Sequence, residues 1–133
     1  MSNLVDIVTH EGAVLAYLVR GDASPAATTF VTPGTEQLQL GLIVYRAGTS
    51  VQAHEHLPVE RVVTSTPEAV MVKKGRCTLE LYDAARKVIA TREMTDGDIV
   101  LLLRGGHGFR VHEDTLFMEI KQGPHKADEK VRF

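Results

Sequence analysis

The chain has 133 residues, 44% of them hydrophobic and 24% charged, with a formal net charge of -2. This length suits one domain whose core stands without disulfide support. Mild acidity and the lack of a basic cluster argue against a nucleic-acid or membrane-surface partner.

The N-terminal stretch lacks a basic region followed by an apolar one, so no secretory signal is expected. The longest apolar runs, residues 14–19 and 99–103, are far too short to span a bilayer. A soluble, cytoplasmic protein is the expectation. Along the chain, short runs rich in Val, Ile, Leu, Thr and Tyr occupy 14–19, 38–45, 69–72, 78–82, 99–103 and 116–120. Gly12, Gly21, Gly34, Gly48, Gly75, Gly97 and the Gly105–Gly106 pair punctuate them. Evenly spaced short strands with turn residues between them predict an all-β sandwich or barrel. Alternation agrees: Leu116, Met118 and Ile120 share one face, and Phe117, Glu119 and Lys121 the other. Between 82 and 95, Asp83 is expected to open a hairpin turn, with a short helix as the competing reading. Residues 1–133 read as one domain, with a barrel core of about 36–122 and a polar tail at 123–133.

Cys77 is the only cysteine, so no internal disulfide forms, and it reads as a small apolar strand residue. No phosphate-binding glycine loop, Gly-x-Ser-x-Gly elbow or Cys-x-x-Cys occurs. The feature that carries chemistry is His54-Glu55-His56. On a strand, residues two apart point to the same side, so both imidazoles would face one ion.

The context of this pair is informative. Gly48 precedes His54 by five intervening residues. Glu68 follows, with six residues between it and Gly75. Gly97-Asp98 then opens an apolar run ending in Leu103-Arg104-Gly105-Gly106-His107. This order resembles the two motifs of the cupin superfamily across residues 48–108. Leu103 stands where the second motif has proline, His107 comes one residue early, and Val111 replaces an asparagine. Gly105-Gly106-His107-Gly108-Phe109 and Lys121-Gln122-Gly123-Pro124 resemble a subgroup of small cupins, some linked to sugar-nucleotide or surface-polysaccharide metabolism.

The resemblance implies a double-stranded β-helix, that is, a jelly-roll barrel, in a homodimer. It implies a divalent transition metal (iron, manganese, nickel or zinc) held by His54, His56, Glu68 and His107. Glu60, separated from His56 by three residues, is the alternative carboxylate. Three imidazoles and a carboxylate leave coordination positions open for water or substrate. Arg61 and Arg104 flank the expected mouth and suit an anionic group on a small-molecule ligand. Tyr82, Glu119 and Lys121 are candidate proton donors or acceptors. The leading expectation is a metal-dependent enzyme acting on a small polar molecule, with sugar-derived and anionic ones among the candidates. The alternatives are a non-catalytic module binding such a ligand, and a metal-free sugar epimerase or isomerase with a histidine base and a tyrosine acid.

Overall fold

The structure is a computed structural model describing residues 4–133, and every regular element in it is a strand. In chain order these are β1 (Asp6–His10), β2 (Ala13–Val19), β3 (Thr29–Phe30), β4 (Gly41–Leu42) and β5 (Glu68–Lys74). They are followed by β6 (Arg76–Tyr82), β7 (Val88–Thr95), β8 (Ile99–Leu102), β9 (Gly106–Val111) and β10 (Leu116–Lys121). All pairings are antiparallel: one sheet runs β1-β2-β8-β5-β10, a second runs β7-β6-β9, and β3 and β4 form a two-stranded ribbon.

The two larger sheets stack into a sandwich because each strand turns alternate apolar residues inward. Ala16, Leu18, Val70, Val72, Val100 and Leu102 of the first sheet meet Cys77, Leu79, Leu81 and Met94 of the second. A smaller cluster forms on the outer face of the first sheet, where Tyr17, Ala69 and Leu101 are covered by Val31, Leu38 and Leu40. That covering explains why the run at 38–45 yields only the two-residue β4. Its leucines pack sideways onto the sheet, and the Thr32 hydroxyl, which receives the Leu40 amide at 3.1 Å and donates to Gln39 Oε1 at 3.0 Å, fixes the loop.

Turn chemistry sets the remaining geometry. Asp83 opens the β6–β7 hairpin as its sequence suggests: its Oδ1 accepts from the Lys87 amide at 3.0 Å, and its backbone amide donates to Lys87 O. No helix forms there. Asp98, at the entry to β8, is buried; its carboxylate accepts from the amides of Gly21 and Thr95 and from Arg20 Nη1. This carboxylate ties the end of β2 to the β7–β8 turn.

Between β4 and β5 the chain does something different. Every residue from 45 to 66 is exposed, and none of them lies in a strand. His54-Glu55-His56 is in this stretch, so the expected strand setting for the histidine pair is absent within one chain. A strand exists only where a neighbour takes up its backbone groups, and among the described residues this stretch has no sheet neighbour.

Candidate functional site

The sandwich brings Glu68 and His107 together. Glu68 is the first residue of β5, and its backbone is fixed by pairing with Lys121 on one side and Leu102 on the other. His107 lies on β9 opposite Leu81 of β6. Alternation turns both side chains into the space between the sheets, and His107 Nε2 donates to Glu68 Oε1 at 2.6 Å. Gly105, just before β9, has a φ of +74°, and a Cβ there would lie 2.6 Å from Tyr82 O. Only glycine makes that approach without strain, and it sets where β9, and with it His107, begins.

Around this pair lies a cavity of about 630 Å³. Tyr82, Phe109 and Glu119 line its body, and Lys130, Arg132 and Phe133 line the side formed by the C-terminal segment. Its volume falls in the range of small-molecule sites. The Phe133 ring meets Tyr82 edge-on at a centroid distance of 5.1 Å, with the Arg86 guanidinium 5.0 Å from its own centroid. The polar tail expected at 123–133 therefore returns to the sandwich as part of the cavity wall.

The charges in the cavity are arranged unequally. Glu68 is 7% exposed. The hydrogen bond from His107 holds its carboxyl below the usual carboxylate range, against the opposing effect of burial. Hydrogen bonding with Glu119, and the charges of His107 and Lys130, act in the same direction as His107. The same contact with Glu68 pushes the Glu119 carboxyl up, and burial adds to the shift. Glu68 is thus the anionic member of the pair, and Glu119 the one that retains a proton longer.

The Tyr82 hydroxyl donates to Glu80 Oε2 at 2.7 Å. That bond raises the phenol above its ordinary value and, together with Arg110, lowers the Glu80 carboxyl. Lys121 forms an ion pair with Glu129 at 3.7 Å, outside the cavity.

The other sequence candidates lie elsewhere. His54 and His56 stand on the exposed 45–66 stretch with ring centroids 5.5 Å apart; His54 Nδ1 is 2.9 Å from Gln52 O. Glu60 and Arg61 are on the same exposed stretch. Arg104 binds both Glu36 carboxylate oxygens, at 3.0 and 3.2 Å, and the Val14 carbonyl at 2.8 Å. It borders a separate cleft with Gln37, Ser65 and Pro67. Of the four expected metal ligands, one chain brings together two. Among the described residues, no three His, Cys, Asp or Glu side chains converge as an ion would require.

Lys130, Arg132 and Phe133 were not singled out from the sequence. One signal was present: Phe133 is an aromatic residue closing an otherwise polar stretch, where a purely solvated tail would need none. Comparison with known families, curated proteins and solved structures returns no match to this chain. Among the described residues no helix is long and apolar enough to cross a membrane.

Proposed function

We propose that the cavity is the centre of a metal-dependent, cupin-type enzyme acting on a small polar molecule, and that the sandwich is a double-stranded β-helix. The observation that carries this reading is the Glu68–His107 contact at 2.6 Å inside a cavity of ligand size. These residues come from two different sheets and from the two halves of the sequence motif, and the fold places them side by side. The donor set fits as far as it goes. A carboxylate and an imidazole suit iron, manganese, nickel and zinc alike. His54 and His56 are the two further ligands that the motif order expects.

A bound metal with open positions would polarise a carbonyl or activate a water molecule. The chain's own residues supply the rest. Lys130 and Arg132 offer positive charge to an anionic group on the substrate, in place of the expected Arg61 and Arg104. Phe109 and Phe133 exclude water on the apolar side, and Glu119 presents a carboxyl to the bound molecule. Tyr82 bonded to Glu80 speaks against a tyrosine acid paired with a histidine base.

The test is elemental analysis of untagged protein purified without chelator, beside Glu68→Gln and His107→Ala. Near-stoichiometric metal in the wild type, lost in both variants, is the expected result. Wild-type protein that holds no metal and takes none up on reconstitution overturns the reading. So does full metal content in both variants.

A further inference from the structure

We propose that residues 45–66 of each chain pair with a second copy of the same chain, carrying His54 and His56 to the Glu68–His107 cavity of that copy. This rests on the metal-centre reading above and adds where its two missing ligands come from.

Three observations point to a second copy as the occupant. First, the stretch has the pattern of a strand and no strand partner. Counting by twos, Val51, Ala53, Leu57, Val59 and Val63 share one side, interrupted by Glu55 and Arg61; Gln52, His54, His56 and Glu60 share the other with Pro58 and Val62. Leu57 is 78% and Val62 80% exposed in the single chain. A solvated linker would not carry this apolar load, and long structureless loops are uncommon in compact domains.

Second, the sandwich has matching vacancies. β10 is the edge of one sheet and β9 the edge of the other, and both edges border the cavity that holds Glu119 and His107. An open edge is a template for another strand. On its outward face β10 also exposes Leu116, Met118 and Ile120. A strand laid along the free edge of β9 turns one of its two faces over the cavity. The neighbouring carboxyls of Glu68 and Glu119 there complement imidazoles and a cation.

Third, the reach is sufficient. Residues 45–66 measure about 70 Å when extended, so even with both ends tethered their middle can stand about 35 Å out, enough to lie across a neighbouring copy whose radius of gyration is about 14 Å. At its two ends the stretch is pinned to its own chain, through the Val44 amide to Thr28 Oγ1 at 2.9 Å and Ser65 Oγ to Gln37 Oε1 at 2.7 Å. Between these anchors no hydrogen bond or ion pair among the described residues ties it to its own sandwich. Reciprocal exchange gives a closed, two-fold dimer, with each cavity completed by the other chain.

The experiment uses full-length protein. Light scattering should give the wild type as a dimer. Leu57→Asp combined with Val59→Asp should give a folded monomer, since both positions are exposed in the single chain. A monomeric wild type, or a double variant that stays dimeric, overturns the exchange.

Complementation then separates exchange from the metal reading. One parent carries His54→Ala and His56→Ala, the other Glu68→Gln and His107→Ala. Refolded together, they should recover about a quarter of wild-type metal content, because half the dimers are mixed and each mixed dimer has one intact site. If each chain completed its own site, mixing would recover none. A dimer that the Leu57/Val59 variant dissociates but that binds no metal would retain the 45–66 interface and reject the metal centre.

Discussion

Glu68 on β5 and His107 on β9 meet at 2.6 Å across the two sheets, and this contact couples the layers of the sandwich electrostatically as well as by packing. In metal-free protein the effects of Glu68→Gln and His107→Gln on urea stability should therefore not add. A coupling energy of about 0.5–3 kcal/mol is expected. Simple additivity within error would show that the pair carries no mutual stabilisation.

The Tyr82–Glu80 bond predicts a pH signature. Glu80 is lowered in the folded protein, so its contribution is present above its unfolded value and fades as pH falls through the folded one. Tyr82 is raised, so its contribution is present below its unfolded value and fades as pH rises through the folded one. Tyr82→Phe should reduce stability between these limits and remove the alkaline decline that Tyr82 causes. Denaturation curves across pH for both proteins measure it; parallel profiles would contradict the assignment.

Burial, with Glu93 and Asp98 nearby, pushes the Cys77 thiol up, and the residue is fully buried. A thiol-specific chromogenic reagent should leave native protein unlabelled and label one thiol per chain in denaturant. Rapid labelling of the native state would mean that the Cys77 strand opens.

Asp98→Ala should destabilise by about 2–4 kcal/mol, because it leaves two amides and Arg20 without their buried acceptor. Asp98→Asn should recover part of the loss. Thermal unfolding of both variants gives the comparison, and an unchanged melting temperature for Asp98→Ala would refute the role.

Gly75 joins β5 to β6 with a φ of +118°, and a Cβ there would fall 2.3 Å from Thr115 Oγ1 and 2.8 Å from Asp114 O. Gly75→Ala should cost about 1–3 kcal/mol through backbone strain, with a further loss from the displaced Thr115. Wild-type stability in the variant would show that the turn relaxes freely.

Much of this architecture was legible in the sequence, because it rests on local pattern. The runs at 14–19, 69–72, 78–82, 99–103 and 116–120 correspond to β2, β5, β6, β8 and β10. The motif order singled out Glu68, with Glu60 as the alternative, and His107; the contact between Glu68 and His107 comes from the stacking of the two sheets. Which face of β10 turns inward was not legible. Alternation separates Leu116, Met118 and Ile120 from Phe117, Glu119 and Lys121, and hydrophobicity favours burying the first set, yet Phe117 packs on the core and Glu119 enters the cavity. The register with Val70 and Val72 decides it, and register is a property of the neighbouring strand. The setting of His54 and His56 was illegible for the same reason: period two shows that a stretch suits a strand but not which strand it joins.

The place of β2 between β1 and β8 governs how the molecule assembles over time. Ala16 pairs with Leu102 and Leu18 with Val100, partners far along the chain. During synthesis the N-terminal hairpin emerges early and waits, its apolar flank uncovered, until β8 leaves the ribosome. The β6–β7 hairpin closes locally in the meantime. Such high contact order predicts slow, late closure of the five-stranded sheet, limited by the search of β2 for β8.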